Sequence, residues 1–596
     1  MEKAQGVTWD LSFLYTSVND ARIDQDFEKI RNLSEAFVNN YQGKIAVASL
    51  CPTFLLKALQ DGEEIFSFLL KPYIYSILLY SENTTNNEAQ SLKARTENEF
   101  LAINNMLAFF ENIELLNIPE DTFQDLIQAP QLEHYKYWLI NRRLWKPYTR
   151  SEAEEQVLNL KNRTGRYALI ELYHEFCDHL RFPFTVDGTV KQLSEAELAS
   201  YHHSDDQLLR QQVLQTSAAV YKNNSLVITS IFNALINDHY QECQLRNISD
   251  VMLPAYLRDD VSAQMIEAMI EVVEARTQLV TRYYKLKAQL LNLPQLEACD
   301  IHVPLGEKIT ISFTQARETI LEAFDEFDTE FGERARTFLT RKLIEAESRP
   351  EKQSAAFCVP LVPCLQPVIF LNYNDTVTNM FSLAHELGHA LHYFYAGEQQ
   401  TLFTYDVSQA IAESASIFCT LLVTDKLVTD SKDVAMKKKC LALQIEDIIN
   451  STYLQILYIL FEKQAHKMAL TKKLSADELT ELWDHLKRKL YQDSVKPSPF
   501  KGYGWMGMRY FFSHHFLCTI YAFGQLFAIG LYQQYLDDRE EFIPKYKDLL
   551  RTGGKLPPRL LAEKMGLDLT EASFWQNGFH YLETLMNDLE KIVTTA

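Results

Sequence analysis

Residues His385-Glu386-Leu387-Gly388-His389 form an HExxH run. On a helix, residues four apart stand about 6 Å along the axis and about 40° around it, so both imidazoles can converge on one ion. Glu386 lies beside them, placed to act on a water rather than to bind the metal. A third ligand is sought downstream, where Asp406-x-x-Gln409 predicts a capping box that opens a second helix. From His389 the first helix climbs to Gly397, about 12 Å, and the second descends from Asp406 to Glu413, about 10 Å. If the two pack antiparallel, Glu413 returns level with His389. Two His and one Glu leave the fourth tetrahedral position open for water, the arrangement of a catalytic rather than a structural zinc.

Two decoys sharpen the assignment. In the run His174–His179 (HEFCDH) the histidines are five apart and about 140° around a helix, on diverging faces, which predicts a structural role. His392 shares a face with His385 but sits about 10 Å further along, so it is read as a packing or supporting residue. The metzincin extension fails, because His392 and Tyr395 stand where that pattern needs glycine and histidine. The Gly-x-Met-Glu-Asn signature of zinc aminopeptidases is absent. What remains is a zincin with Glu as third ligand.

The elements that must position these groups can be read next. Ala355–Val359 and Val368–Tyr373 are predicted strands, separated by a segment containing Pro360, Pro363 and Pro367. Asn374 or Asp375 then offers an N-cap, and a helix is predicted from about Thr376 to Gly397. Elsewhere helical periodicity dominates, as at Met265, Met269, Val272, Val273 and Leu279 and through Leu441–Leu470. The 596 residues include only 18 Gly and 18 Pro, which argues for long helices over many short strands.

A net charge of −21 argues against nucleic acid as a partner. Basic clusters such as Met436–Cys440 and Leu486–Leu490 read as solvated helix faces. Nine scattered cysteines without a CxxC pair suggest reduced thiols and a cytoplasmic location, and no signal peptide is visible at the N-terminus. The most apolar segment, Thr519–Tyr532, is too short to span a bilayer, so no membrane association is expected. A soft domain boundary is placed near Ser204–Gln207, after a turn-rich stretch.

The runs FSLAHELGHALHYF and AESASIF resemble the oligoendopeptidase F group of the thimet-oligopeptidase-like (M3) metallopeptidases. TWDLSFLY near the start, YWLINRRLWKPYTRSEAEEQVLNLKNRTGR, SAAFCVP, IFLNY and YAFGQL are similar to further signatures, so the likeness covers most of the chain. The resemblance implies a mainly α fold, a helical clamshell around a deep channel, with a small β-sheet beside the zinc helix whose edge binds the peptide backbone. It divides the chain into an N-terminal helical region, 1–204, and a catalytic domain, 205–596. It also implies one Zn²⁺ per chain on His385, His389 and Glu413, with Glu386 as general base. A Tyr matching the start of YAFG, here Tyr521, would donate to the oxyanion.

Tyr510, His514 and Tyr521 are expected on roughly one face of a helix. The family's His-Phe pair stands here as Tyr510-Phe511. His514, His515 and Tyr510 are therefore candidates for that histidine's role, and His514 is chosen on helical phase. Thr420 stands where many relatives carry Glu. The loop with Gly502, Gly504 and Gly507 is read as a mobile loop closing over substrate. The expected activity is zinc-dependent endopeptidase action on short unfolded oligopeptides by a monomer. The alternatives are a zinc carboxypeptidase or dipeptidase on the same shell, and a non-catalytic peptide-binding protein.

Overall fold

In a computed structural model the chain is described over residues 4–306 and 309–595, and it is 71% helical with only small sheets. The elements used below are helices α1 (Ser225–Leu245), α2 (Val377–Gly397), α3 (Gln409–Asp430), α4 (Gln455–Ala469), α5 (Tyr510–Ser513) and α6 (Cys518–Asp537). The strands are β1 (Ile344–Glu345), β2 (Phe357–Val359) and β3 (Val368–Phe370). No helix among the described residues is long and apolar enough to cross a membrane. All nine cysteines are free thiols.

The chain divides into two compact units, each assembled from three segments. Unit 1 joins Met1–Pro147, Lys308–Ser431 and Ala528–Asp568, and unit 2 joins Tyr148–Glu307, Lys432–Phe527 and Leu569–Ala596. The expected cut at 204/205 falls inside the first segment of unit 2.

In unit 1 the small sheet has the order β1-β3-β2. β3 is central, parallel to β1 (Ile344↔Ile369) and antiparallel to β2, with Phe357 opposite Phe370 and Val359 opposite Val368. The predicted strands are thus present but shorter, and β1 was not anticipated. Both β2 and β3 pack on α2. α2 opens on Thr376, whose hydroxyl accepts from the Asn379 amide while the Asn379 side chain accepts from the Asn374 amide. The cap is therefore Thr376 rather than Asn374 or Asp375. Asp375 instead adopts a left-handed φ of +56° and its carbonyl accepts from the Ile311 amide, so it makes the turn.

The backs of α2 and α3 meet one aromatic core. Phe418 of α3 lies 4.5 Å from Tyr546 and 5.4 Å from Phe327, while Tyr395 of α2 lies 6.1 Å from Phe331. Burial of each such ring, plus about 0.5–1.5 kcal/mol for each ring–ring contact, fixes the rotation of both helices. In unit 2, Phe232 of α1 packs on Phe461 of α4, Trp505 and Phe512 of α5.

Candidate active site

α2 is buried over most of its circumference, and His385 and His389 are half-exposed positions on it. The neighbouring α3 supplies Glu413. Close approach of these helices depends on Gly388, where a Cβ would meet the Ser416 Cα at 2.5 Å and the Ala415 carbonyl oxygen at 2.6 Å. Glycine inside HExxH thus allows α3 to lie against α2. The expected capping box does not form, because Leu402–Tyr405 is a separate turn and α3 starts only after Ser408, whose side chain makes no capping bond. Asp406 accepts instead from the Tyr393 hydroxyl at 3.2 Å. Glu413 is reached after one turn of α3, a shorter descent than the sequence suggested.

The ligand atoms of His385, His389 and Glu413 lie within 4.8 Å of one another. His385 Nε2 is 3.3 Å and His389 Nε2 is 3.6 Å from Glu413 Oε2. Tetrahedral zinc with bonds of 2.0–2.2 Å separates its ligand atoms by about 3.4 Å, so these spacings fit the ion. The surroundings orient the set: the Ala412 carbonyl accepts from the His389 ring, and the Ser416 hydroxyl donates to Glu413 Oε2 at 3.1 Å. Ser416 was not singled out from the sequence, although it stands one turn after the ligand.

The electrostatics separate the two carboxyls. Burial pushes Glu386 up to about 7, with His385 opposing and Glu413 adding to the rise. Burial also works to raise Glu413, but the His385 ring and then His389 outweigh it and hold this carboxyl at about 2. His389 is lowered to about 4, chiefly by burial and then by His385, which keeps it neutral as a ligand requires. Their surroundings thus push the two carboxyls in opposite directions.

The other predicted residues fall elsewhere. His392 is buried and is not part of the ligand grouping. His174 bonds Ser513 and His179 bonds the Glu175 carbonyl, so the HEFCDH run is structural. Tyr521 is half-buried at the start of α6, with its ring 5.7 Å from Tyr510. The continuous helix expected from Tyr510 to Tyr521 is interrupted, since α5 ends at Ser513 and α6 starts at Cys518. His514 is exposed in extended backbone at this break, so the helical phase that selected it does not apply. The glycine loop is pinned rather than free. Trp505 is fully buried with its indole on Thr480, and the Met506 carbonyl accepts from Tyr173.

Comparison with known proteins places the chain in a family. The family model for peptidase family M3 matches residues 200–581, and that for oligopeptidase F matches 114–182. An oligoendopeptidase F homolog of Borreliella burgdorferi is 23% identical over 98% of both chains, and the group B oligopeptidase PepB of Streptococcus agalactiae is 22% identical over 98% of this chain and 97% of its own. The fold matches a crystal structure from Chlamydophila abortus (TM-score 0.85, 20% identity, 98% of each chain). It also matches oligoendopeptidase-F from Enterococcus faecium (TM-score 0.72, 20% identity, 96% of this chain and 100% of that one). With the M3 model spanning the helices that carry His385, His389 and Glu413, and relatives matching end to end, this chain belongs to peptidase family M3, in its oligoendopeptidase F group.

Proposed function

We propose that the chain is a zinc endopeptidase that hydrolyses internal bonds of short, unfolded oligopeptides. The observation that carries this reading is the zinc-compatible grouping of His385, His389 and Glu413 with the buried Glu386 carboxyl on the same helix. Bound there, zinc would polarise the scissile carbonyl and lower the pKa of a water. Glu386 takes the proton of the attacking water and delivers it to the leaving amine, and a carboxyl near 7 suits both directions at neutral pH. β2 is an edge strand packed against α2, which supports binding of an extended peptide by strand addition. From the resemblance, Tyr521 is assigned to donate its hydroxyl to the developing oxyanion.

The test is Glu386→Gln, read by zinc content and by mass spectrometry of cleavage products from a pool of end-blocked peptides. The variant should keep its zinc and lose at least about 10²–10⁴ in turnover. The wild type should cut blocked peptides internally. Undiminished cleavage by the variant would remove Glu386 from the mechanism, and a wild type that leaves blocked peptides intact but trims their unblocked counterparts would be an exopeptidase.

A further inference from the structure

Unit 2 holds a second grouping of the same ligand types. On α4, Glu462 and His466 are four residues apart and share a face. The turn between α5 and α6 brings His515 against them, so that one ligand atom from each of the three lies within 4.8 Å of the others. Glu462, His466 and His515 are 1%, 4% and 7% exposed. His466 Nε2 and His515 Nδ1 have no hydrogen-bond partner. The Glu462 carboxylate accepts from the Phe516 amide at 3.1 and 3.2 Å, while nearby Arg258 is engaged by both oxygens of Asp259. A third imidazole, His239, packs 4.4 Å from the His515 ring and 5.4 Å from that of His466, with its Nε2 on the Val251 carbonyl.

Native cores rarely leave buried imidazole nitrogens unpaired beside a carboxylate. These ligand atoms, within 4.8 Å of one another, need only small side-chain rotations to reach the spacing of about 3.4 Å that a tetrahedral divalent ion requires. We infer that Glu462, His466 and His515 form a second metal site, for Zn²⁺ or a neighbouring first-row divalent ion, distinct from the HExxH centre. Two imidazoles with one carboxylate select this class over Ca²⁺ or Mg²⁺, which take oxygen ligands. Without a cation, burial pushes the Glu462 carboxyl up to about 8, and ion binding would release that proton.

The site's role is structural. Phe516, whose amide sits on Glu462, has a left-handed φ of +57°, a conformation a bulky residue rarely adopts. An ion drawn between Glu462 and His515 would clamp the turn from which α6 and Tyr521 start.

The decisive experiment uses the full-length chain carrying His385→Ala and His389→Ala, which leaves the second grouping untouched. Expressed with zinc and desalted, this chain should retain about one equivalent of Zn²⁺ by mass spectrometry, and the wild type about two. In the wild type, EDTA should strip the half-exposed centre quickly and leave the buried ion in place. Adding His466→Leu to the double variant should remove the remaining equivalent. An anomalous-scattering peak should lie between Glu462, His466 and His515. A folded His385→Ala/His389→Ala chain with less than about a tenth of an equivalent of Zn²⁺, Co²⁺ or Ni²⁺ would overturn the inference, as would a peak elsewhere. This readout does not depend on peptide cleavage, so it stands or falls apart from the peptidase reading.

Discussion

Gly388 and Ser416 each act on the proposed metal ligands without belonging to the set. Gly388→Ala would drive a methyl into the backbone of α3, where nothing flexible can give way. The variant should lose about 1–3 kcal/mol of stability by overpacking, seen as a lower Tm, and should bind zinc more weakly because Glu413 is displaced. Ser416→Ala separates orientation from packing. It removes a hydroxyl shared between the Glu413 backbone carbonyl at 2.9 Å and its carboxylate at 3.1 Å, so zinc affinity should fall about 10- to 100-fold in a chelator competition while the circular dichroism spectrum is unchanged. At this scale the sequence was readable where ligands are local. His385 and His389 share one helix, so their spacing alone brought them together. His515 was not readable as a ligand, because its partners Glu462 and His466 lie some fifty residues earlier and no periodicity links them.

Elements were legible when their signals repeated and obscure when a single residue decided them. The helix over 377–397 was anticipated from its pattern and its terminal glycine, whereas the cap fell to Thr376 because Asp375 was taken by the turn. The break between α5 and α6 rests on Phe516 at positive φ, and nothing about a phenylalanine announces that. β1 is two residues long, too short for any alternation to show. A further elemental contact joins the helix Gln207–Asn223 to the turn Ala298–Asp300, where Arg210 bonds the fully buried Asp300 at 2.7 Å. Burial pushes the Asp300 carboxyl up, but Arg210, the Glu297 amide and Cys299 outweigh it, so its pKa lies below the ordinary range. Such a group contributes stability that is fully present above the unfolded value of about 3.9 and is lost as pH falls through the folded one. Arg210→Met should therefore destabilise by about 3–5 kcal/mol at neutral pH in urea titrations. The deficit should narrow in acid, where a protonated Asp300 no longer needs its partner.

At the scale of the whole molecule, the scarcity of Gly and Pro foretold a helical chain, and 71% helix is what the protein has. A single cut at 204/205 has no counterpart in the compact units, because contacts between distant segments leave no mark in local composition. A fragment of residues 205–596 would carry every zinc ligand and yet lack 1–147 from one unit and 148–204 from the other. It should be recovered aggregated or partly unfolded, with no cooperative thermal transition, and soluble two-state behaviour of that fragment would contradict the interleaving. The same interleaving governs how the protein is made. Unit 1 gains its last segment, Ala528–Asp568, only after Tyr148–Glu307 and Lys432–Phe527 of unit 2 have been made, and unit 2 waits for Leu569–Ala596. Neither can close its core until its own last segment has left the ribosome, so the earlier segments of both must be kept from aggregating until then.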